Sequence, residues 1–155
     1  TTQEAPDIPD VDVVRVESMS EMNVELHRLL PECDAVFMAA AVSDFTIEKS
    51  LNKKNRGTFQ ELKLTPTNDI IKSLSLNNKH NATLIGFCLD SSESLSNIAQ
   101  KKLKDKNLQY IVANTPDTIG SDTRTFTIYG HTTPPIEVRS KPLLSATHQL
   151  IQTVL

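Results

Sequence analysis

Asp34-Ala35-Val36-Phe37-Met38-Ala39-Ala40-Ala41-Val42-Ser43-Asp44-Phe45 is the stretch on which the reading of this chain turns. Its first part, Asp34 to Ala41, is almost wholly apolar. A strand buried on both faces reads this way, whereas a half-exposed strand alternates. The stretch therefore predicts a central strand of a parallel sheet. Asp44 follows just past its end, at the edge where open α/β sheets take ligands. Ala39, Ala40 and Ala41 are small enough to let a ligand approach the backbone. The same residues could equally permit tight helix packing, with Asp44 capping a turn.

The chain on either side supports an α/β pattern. Upstream, Val11 to Val16 is β-branched and predicts a short strand. Ser18-x-x-Glu21 is a capping-box pattern, and Met22, Leu26, Leu29 and Leu30 form an apolar helical stripe that Pro31 ends. Downstream, Thr46 to Gln60 is polar, of mixed charge, and predicts a long mobile loop. Glu61 to Thr65 alternates as a short strand. Thr67 or Asn68 can cap a helix through Ile70, Ile71 and Leu74. Thr83 to Cys88 and Leu108 to Ala113 predict two further buried strands, separated by a helix over about Ser94 to Lys106. Thr125 to Tyr129 and Ile136 to Val138 predict a late strand pair. Ser140 then caps a final helix, with Pro142 in its first turn. The expected architecture is a Rossmann-like three-layer sandwich with a mostly parallel sheet and a late antiparallel strand pair.

Bulk properties narrow the function. The 155 residues amount to one domain, 38% hydrophobic and 23% charged. A net charge of -3 argues against a nucleic-acid partner, which needs a basic face. The apolar run from Ala35 to Val42 is too short to span a membrane, and no signal peptide precedes it. Cys33 and Cys88 form no CxxC motif and read as structural thiols, which fits a cytoplasmic location. His27, His80, His131 and His148 are scattered, so neither a metal cluster nor a catalytic triad is expected, and no metal ligand is assigned. The chain contains no GxGxxG and no GxxxxGK[ST].

Other residues could carry chemistry, each with an ordinary structural role as the alternative. Asn68-Asp69-Ile70 opens a helix, and helix N-termini favour anions. Gly86-Phe87 ends a strand, although Phe87 would serve equally in a core. Lys102 and Lys106 lie four apart and share one helical face, as solvated lysines also do.

Taken in order, these segments resemble phosphopantothenoylcysteine synthetase, the ligase part of the bifunctional coenzyme A biosynthesis flavoprotein. Ala40 to Phe45 match its Ala-Ala-Val-(Ala/Ser)-Asp-(Tyr/Phe) segment. Thr67-Asn68-Asp69-Ile70 match Asn-Pro-Asp-Ile, with the first two residues altered. Gly86-Phe87 match Gly-Phe, and Ala99, Lys102 and Lys106 match Ala-x-x-Lys-x-x-x-Lys. Asn114 ends a Val-Ala-Asn match, and Gly120-Ser121-Asp122 resembles the family's turn before a strand pair. Lys53 and Lys54 match the tail of a Lys-x-Lys-Lys element, whose first lysine falls on Leu51 without a gap or on Lys49 with one.

The resemblance implies a nucleotide site of Met38, Ala39, Ala40, Asp44, Thr67, Asn68, Asp69, Ile70, Phe87, Lys102 and Lys106. It also implies catalytic roles for Lys49, Lys53 and Asn114. The implied reaction joins 4′-phosphopantothenate to cysteine through an acyl-cytidylate made with CTP, although some relatives use ATP. Mg²⁺ would arrive with the CTP. FMN is expected only if a flavin decarboxylase domain lies upstream in the parent protein, and a homodimer is expected. The family's first strand, glycine-rich turn and Asn-x-Ser-Ser-Gly segment have no counterpart in these residues. The chain by itself is accordingly expected not to turn over.

Overall fold

A computed structural model describes residues 9–47, 64–91, 93–118 and 120–155. Seven strands and four α-helices are assigned among them. The strands are β1 (Ala35–Met38), β2 (Phe45–Ile47), β3 (Leu64–Pro66), β4 (Thr83–Leu89), β5 (Tyr110–Asn114), β6 (Thr123–Gly130) and β7 (Ile136–Pro142). The helices are α1 (Met19–Leu29), α2 (Ile70–Asn77), α3 (Leu95–Asp105) and α4 (Leu143–Val154). Five strands form one sheet in the order β1-β4-β5-β6-β7, and β2 and β3 pair separately. β1, β4 and β5 run parallel, while β6 and β7 add to β5 as an antiparallel arm.

Side-chain alternation along the sheet divides the core in two. Leu84, Cys88, Ile111 and Ala113 face one side, where they pack with Leu30 just after α1, with Ile71 and Leu74 of α2, and with Ala99 and Leu103 of α3. Ile85, Val112 and Ile128 face the other side, where Leu150 and Val154 of α4 cover them. Helices therefore lie on both faces of an α/β sheet, in three layers. β4 and β5 are covered on both sides: Leu84 and Ile85, like Ile111 and Val112, are buried on opposite faces.

Local chemistry explains most of the element ends. Ser18 accepts from the Glu21 N–H at 3.2 Å, and Glu21 accepts from the Ser18 N–H, which closes the capping box of α1. Pro31 follows, and the chain leaves the helix through a short 3₁₀ turn over Leu30–Glu32. α3 ends in a Schellman motif. The Leu108 N–H reaches the Leu103 carbonyl at 3.0 Å and the Asn107 N–H reaches the Lys104 carbonyl at 3.1 Å. Asn107 takes the left-handed conformation this motif needs, with φ 52°.

Five expectations need correction. Val11–Val16 is not a strand. Its β-branched residues find no ladder partner among the described residues, and propensity without pairing is weak. Asp34–Ala41 is not a central strand buried on both faces. Only Ala35–Met38 is extended, its one sheet neighbour among the described residues is β4, and Phe37 stays partly exposed. Beyond it the alanines turn tightly, with the Ala39 N–H on the Phe37 carbonyl at 3.1 Å and the Val42 N–H on the Ala40 carbonyl at 3.0 Å.

Thr46 and Ile47 belong to strand β2 rather than to a loop, since Phe45–Ile47 pairs with Leu64–Pro66. The rest of the expected loop, with Lys49, Lys53 and Lys54, lies outside the described residues. Asp69, not Thr67 or Asn68, caps α2 through the Lys72 N–H at 3.2 Å. Ser140 does not cap α4. Its N–H is held by Thr125 Oγ1 at 3.0 Å, so β7 continues to Pro142 and the helix starts at Leu143.

Candidate functional site

A cavity of about 310 Å³ opens beyond the carboxyl ends of β1 and β4. That volume is at the lower end of the ~300–1,000 Å³ typical of small-ligand sites. Four separate parts of the chain meet there: the turn after β1, the start of α2, the end of β4, and the last turn of α3. The two crossover connections, β1 to β4 and β4 to β5, bring them together. Segments far apart in sequence thus end up as walls facing one another.

The end of β1 supplies Met38, and the turn after it supplies Ala40, Val42, Ser43 and Asp44. This turn is tied to the start of α2 by two hydrogen bonds. Thr67 Oγ1 donates to the Ser43 carbonyl at 2.6 Å, and the Thr67 N–H donates to the Asp44 carbonyl at 2.9 Å. This clamp orients Thr67, Asn68, Asp69 and Ile70 along the opposite wall. The first amides of α2 have no acceptor within the helix and point out of its N-terminus. Anions are favoured at such an end.

Gly86 forms the floor of the cavity. A Cβ there would sit 2.7 Å from Leu108 Cδ1, too close unless Leu108 shifts, whereas Ile71 Cδ1 at 3.8 Å would be in ordinary contact. Phe87 stands at the rim, 38% exposed. Its register partner is Val112, so its ring belongs to the α4 side of the sheet rather than to the Gly86 side.

Lys102 and Lys106 project from the end of α3, where cations also complement the helix dipole. Their surroundings differ. Lys102 Nζ lies 3.7 Å from the buried Cys88 Sγ. Lys106 Nζ makes a 3.0 Å ion pair with Asp69 Oδ2.

Ten of the sequence-assigned residues therefore line one cavity: Met38, Ala40, Asp44, Thr67, Asn68, Asp69, Ile70, Phe87, Lys102 and Lys106. Ala39 and Asn114 are not among the lining residues. Asn114 ends β5, and its carbonyl accepts from the Asp90 N–H at 3.3 Å. Lys49 and Lys53 lie outside the described residues. Val42, Ser43, Ile71, Gly86, Leu108 and Ile111 also line the wall and were not assigned to the site from sequence. The Thr67 clamp on Ser43 spans 24 positions and has no local signature.

No group of three or more His, Cys, Asp or Glu able to hold a metal occurs among the described residues. Asp44 and Asp69 are nevertheless oxygen donors on the cavity wall, of the kind Mg²⁺ prefers when it arrives with phosphates. No helix among the described residues is long and apolar enough to cross a membrane.

Known proteins are similar to this chain in sequence or in fold. A cysteine/cysteine sulfinic acid decarboxylase from an unknown prokaryotic organism is 36% identical over 138 residues, covering 88% of this chain and 36% of that protein. The coenzyme A biosynthesis bifunctional protein CoaBC of Borreliella burgdorferi is 34% identical over 114 residues, covering 72% of this chain and 29% of that protein. The chain thus spans about a third of the length of these curated relatives. The solved C-terminal domain of a coenzyme A biosynthesis bifunctional protein CoaBC superposes with a TM-score of 0.75 at 26% identity, over 97% of this chain and 68% of that one. The family described as DNA/pantothenate metabolism flavoprotein C-terminal domain matches residues 1–155, and this chain belongs to that family.

Proposed function

We propose that the cavity binds the triphosphate and ribose of CTP, brought with Mg²⁺, and that the domain serves the ligation of 4′-phosphopantothenate to cysteine. The observation that carries this reading is the convergence of Asp44, the α2 N-terminus, Gly86 and the two α3 lysines on one cavity. Relatives named as coenzyme A biosynthesis bifunctional proteins support the same reaction.

The chemistry needs activation because a carboxylate has no adequate leaving group. The phosphopantothenate carboxylate attacks the α-phosphorus of CTP, and pyrophosphate leaves. The cysteine amine then attacks the acyl carbon, loses a proton, and CMP leaves as the amide forms. Bound Mg²⁺ supplies charge neutralisation at the phosphates. Lys102 and Lys106 add fixed positive charge where negative charge shifts onto the leaving pyrophosphate. The α2 amides and the clamped Ser43–Thr67 wall orient the nucleotide, and orientation alone can contribute several kcal/mol, within the ~7–11 kcal/mol limit for well-aligned reactions. Lys49 or Lys53 would add a further phosphate contact and Asn114 a catalytic one, as the resemblance implies. ATP is the competing nucleotide.

FMN belongs to this context only if a decarboxylase domain lies upstream in the parent protein; a homodimeric partner and a cytoplasmic location complete it. Amide formation by these 155 residues alone is not expected, because the glycine-rich turn and the Asn-x-Ser-Ser-Gly segment are not among them.

The test is nucleotide binding. Lys102→Ala should weaken Mg-CTP binding at low salt by more than tenfold, or about 1.4 kcal/mol. Equal affinity of wild type and variant in isothermal titration would remove the nucleotide assignment. Mg-ATP titrated in parallel decides the base preference.

A further inference from the structure

The two cavity lysines are not equivalent, and the difference lies in Asp69. Its Oδ1 accepts from the Lys72 N–H and caps α2, while its Oδ2 holds Lys106 Nζ at 3.0 Å. One carboxylate thus occupies both anion-attracting features of that wall, the helix N-terminus and one lysine. Side-chain exposures of 30% for Lys106 and 37% for Asp69 place the pair in contact with water. Such pairs stabilise folds by about 0–1 kcal/mol, so fold stability gives no strong reason for it.

Charge counting sharpens the point. Among the described residues, the titratable side chains on the cavity wall are Asp44, Asp69, Lys102 and Lys106. Two carboxylates offset two ammonium groups. A wall with no net charge gives a free polyanion no Coulomb reward for entering. A polyanion must also displace the Asp69 carboxylate to reach Lys106.

We propose that Asp69 is a positioning residue for Lys106, and that it makes nucleotide uptake depend on a divalent cation. This rests on the nucleotide reading above. In the empty cavity Asp69 holds Lys106 beside the α2 N-terminus. A metal-complexed triphosphate carries less negative charge than the free one, and it takes Lys106 from Asp69 at lower cost. The free triphosphate meets an occupied lysine and two like charges. Asp69 therefore acts through Lys106 on which form of the nucleotide is admitted.

The test uses the full 155-residue chain and CTP, titrated once with excess Mg²⁺ and once in a chelator. The readout is the ratio of the two dissociation constants. Asp69→Asn retains a capping side chain for α2 but loses the ion pair. The ratio should fall at least tenfold in Asp69→Asn, chiefly because metal-free CTP binds more tightly. In a Lys106→Gln background the same Asp69→Asn change should alter the ratio less than threefold, since the coupling passes through Lys106. Matched thermal unfolding of wild type and Asp69→Asn guards against a folding artefact. Should Asp69→Asn prove unstable, Asp69→Ser, another good cap, replaces it. If wild type binds Mg-CTP but the ratio stays within threefold in the Asp69 variant, the positioning role is wrong and the nucleotide site stands. An equal fall with and without Lys106 also overturns it, in favour of direct repulsion by Asp69. If wild type does not bind Mg-CTP, the nucleotide reading falls and takes this inference with it.

Discussion

The parallel half of the sheet and its antiparallel arm handle polar side chains differently. At the carboxyl ends of β1 and β4, polar groups come from segments far apart in sequence. Thr67 reaches Ser43, and Asp69 reaches Lys106. In the β6–β7 arm the ion pair is local, with Arg139 on Glu137 two residues away. Arg124 likewise turns back onto the Ser121 and Thr123 carbonyls. The first region assembles a cavity from distant parts. The second encloses the core under α4. Substitutions in the two halves should therefore separate ligand binding from stability.

The largest expected effect breaks the arm without touching the cavity. Ile128 is 2% exposed and packs under α4 with Leu150 and Val154. Ile128→Ala should cost ~2–5 kcal/mol of stability through lost burial and a residual cavity. Denaturant unfolding measures the loss. Mg-CTP affinity per folded molecule should stay at the wild-type value, and a matching drop in affinity would dissolve the distinction between the halves. Arg139→Ala, at a largely exposed local pair, should change neither quantity measurably.

Next in size is Gly86→Ala, which joins the two properties. The new methyl would stand 2.7 Å from Leu108 Cδ1, and Leu108 is buried. Overpacking of this kind costs ~1–3 kcal/mol. Leu108 and Ile71 also line the cavity, so nucleotide affinity should fall along with stability. A stability loss at constant affinity would show that the floor is not part of the binding surface.

Much of this layout was legible in the sequence, because it rests on local signals. The Ser18–Glu21 capping box, the Pro31 stop and the apolar runs at 83–88 and 108–113 are short-range patterns that tertiary context did not overrule. The errors arose where context decided. Apolar character made all of Asp34–Ala41 look extended, but only Ala35–Met38 is, and β4 is the one strand beside it among the described residues. Val11–Val16 has the right residues for a strand and no partner strand among the described residues. Asp69 was read as part of a helix start, yet its ion pair with Lys106 spans the cavity and has no counterpart in local spacing. The same holds for Ser140, whose place in β7 depends on Thr125 of the neighbouring strand.

A smaller effect tests how the α3 lysines are aimed. Asn107 closes the Schellman motif directly after Lys106, with φ 52°. Asn107→Gly should be neutral or slightly stabilising, since glycine takes this conformation freely. Asn107→Val should cost ~1–2 kcal/mol, because a branched side chain resists the left-handed region. Loosening the end of α3 should also weaken Mg-CTP binding in the valine variant. Hydrogen exchange at Asn107 and Leu108 reports the motif directly. Unchanged exchange in Asn107→Val would mean that the turn does not depend on residue 107.

The smallest effect asks whether a local device in the parallel half behaves like the local pairs of the arm. Glu21 has its carboxyl pKa lowered from 4.5, chiefly because it accepts the Glu17 N–H, with the Ser18 N–H and hydroxyl adding to this. A lowered folded-state pKa gives a fixed sign. The stabilising contribution is complete above the unfolded pKa, near 4.5, and is lost as pH falls through the lower folded value. Glu21→Gln keeps the capping-box geometry but cannot titrate. Wild type should therefore exceed Glu21→Gln in Tm above the unfolded pKa of 4.5, and the gap should close as pH falls below it through the lowered folded-state value. A gap that stays constant through that range would mean that the carboxylate charge plays no part in the cap. Glu21 is not among the residues lining the main cavity. The Mg-CTP affinity of Glu21→Gln at neutral pH should accordingly equal that of wild type, as expected for a contact that acts only on its own helix.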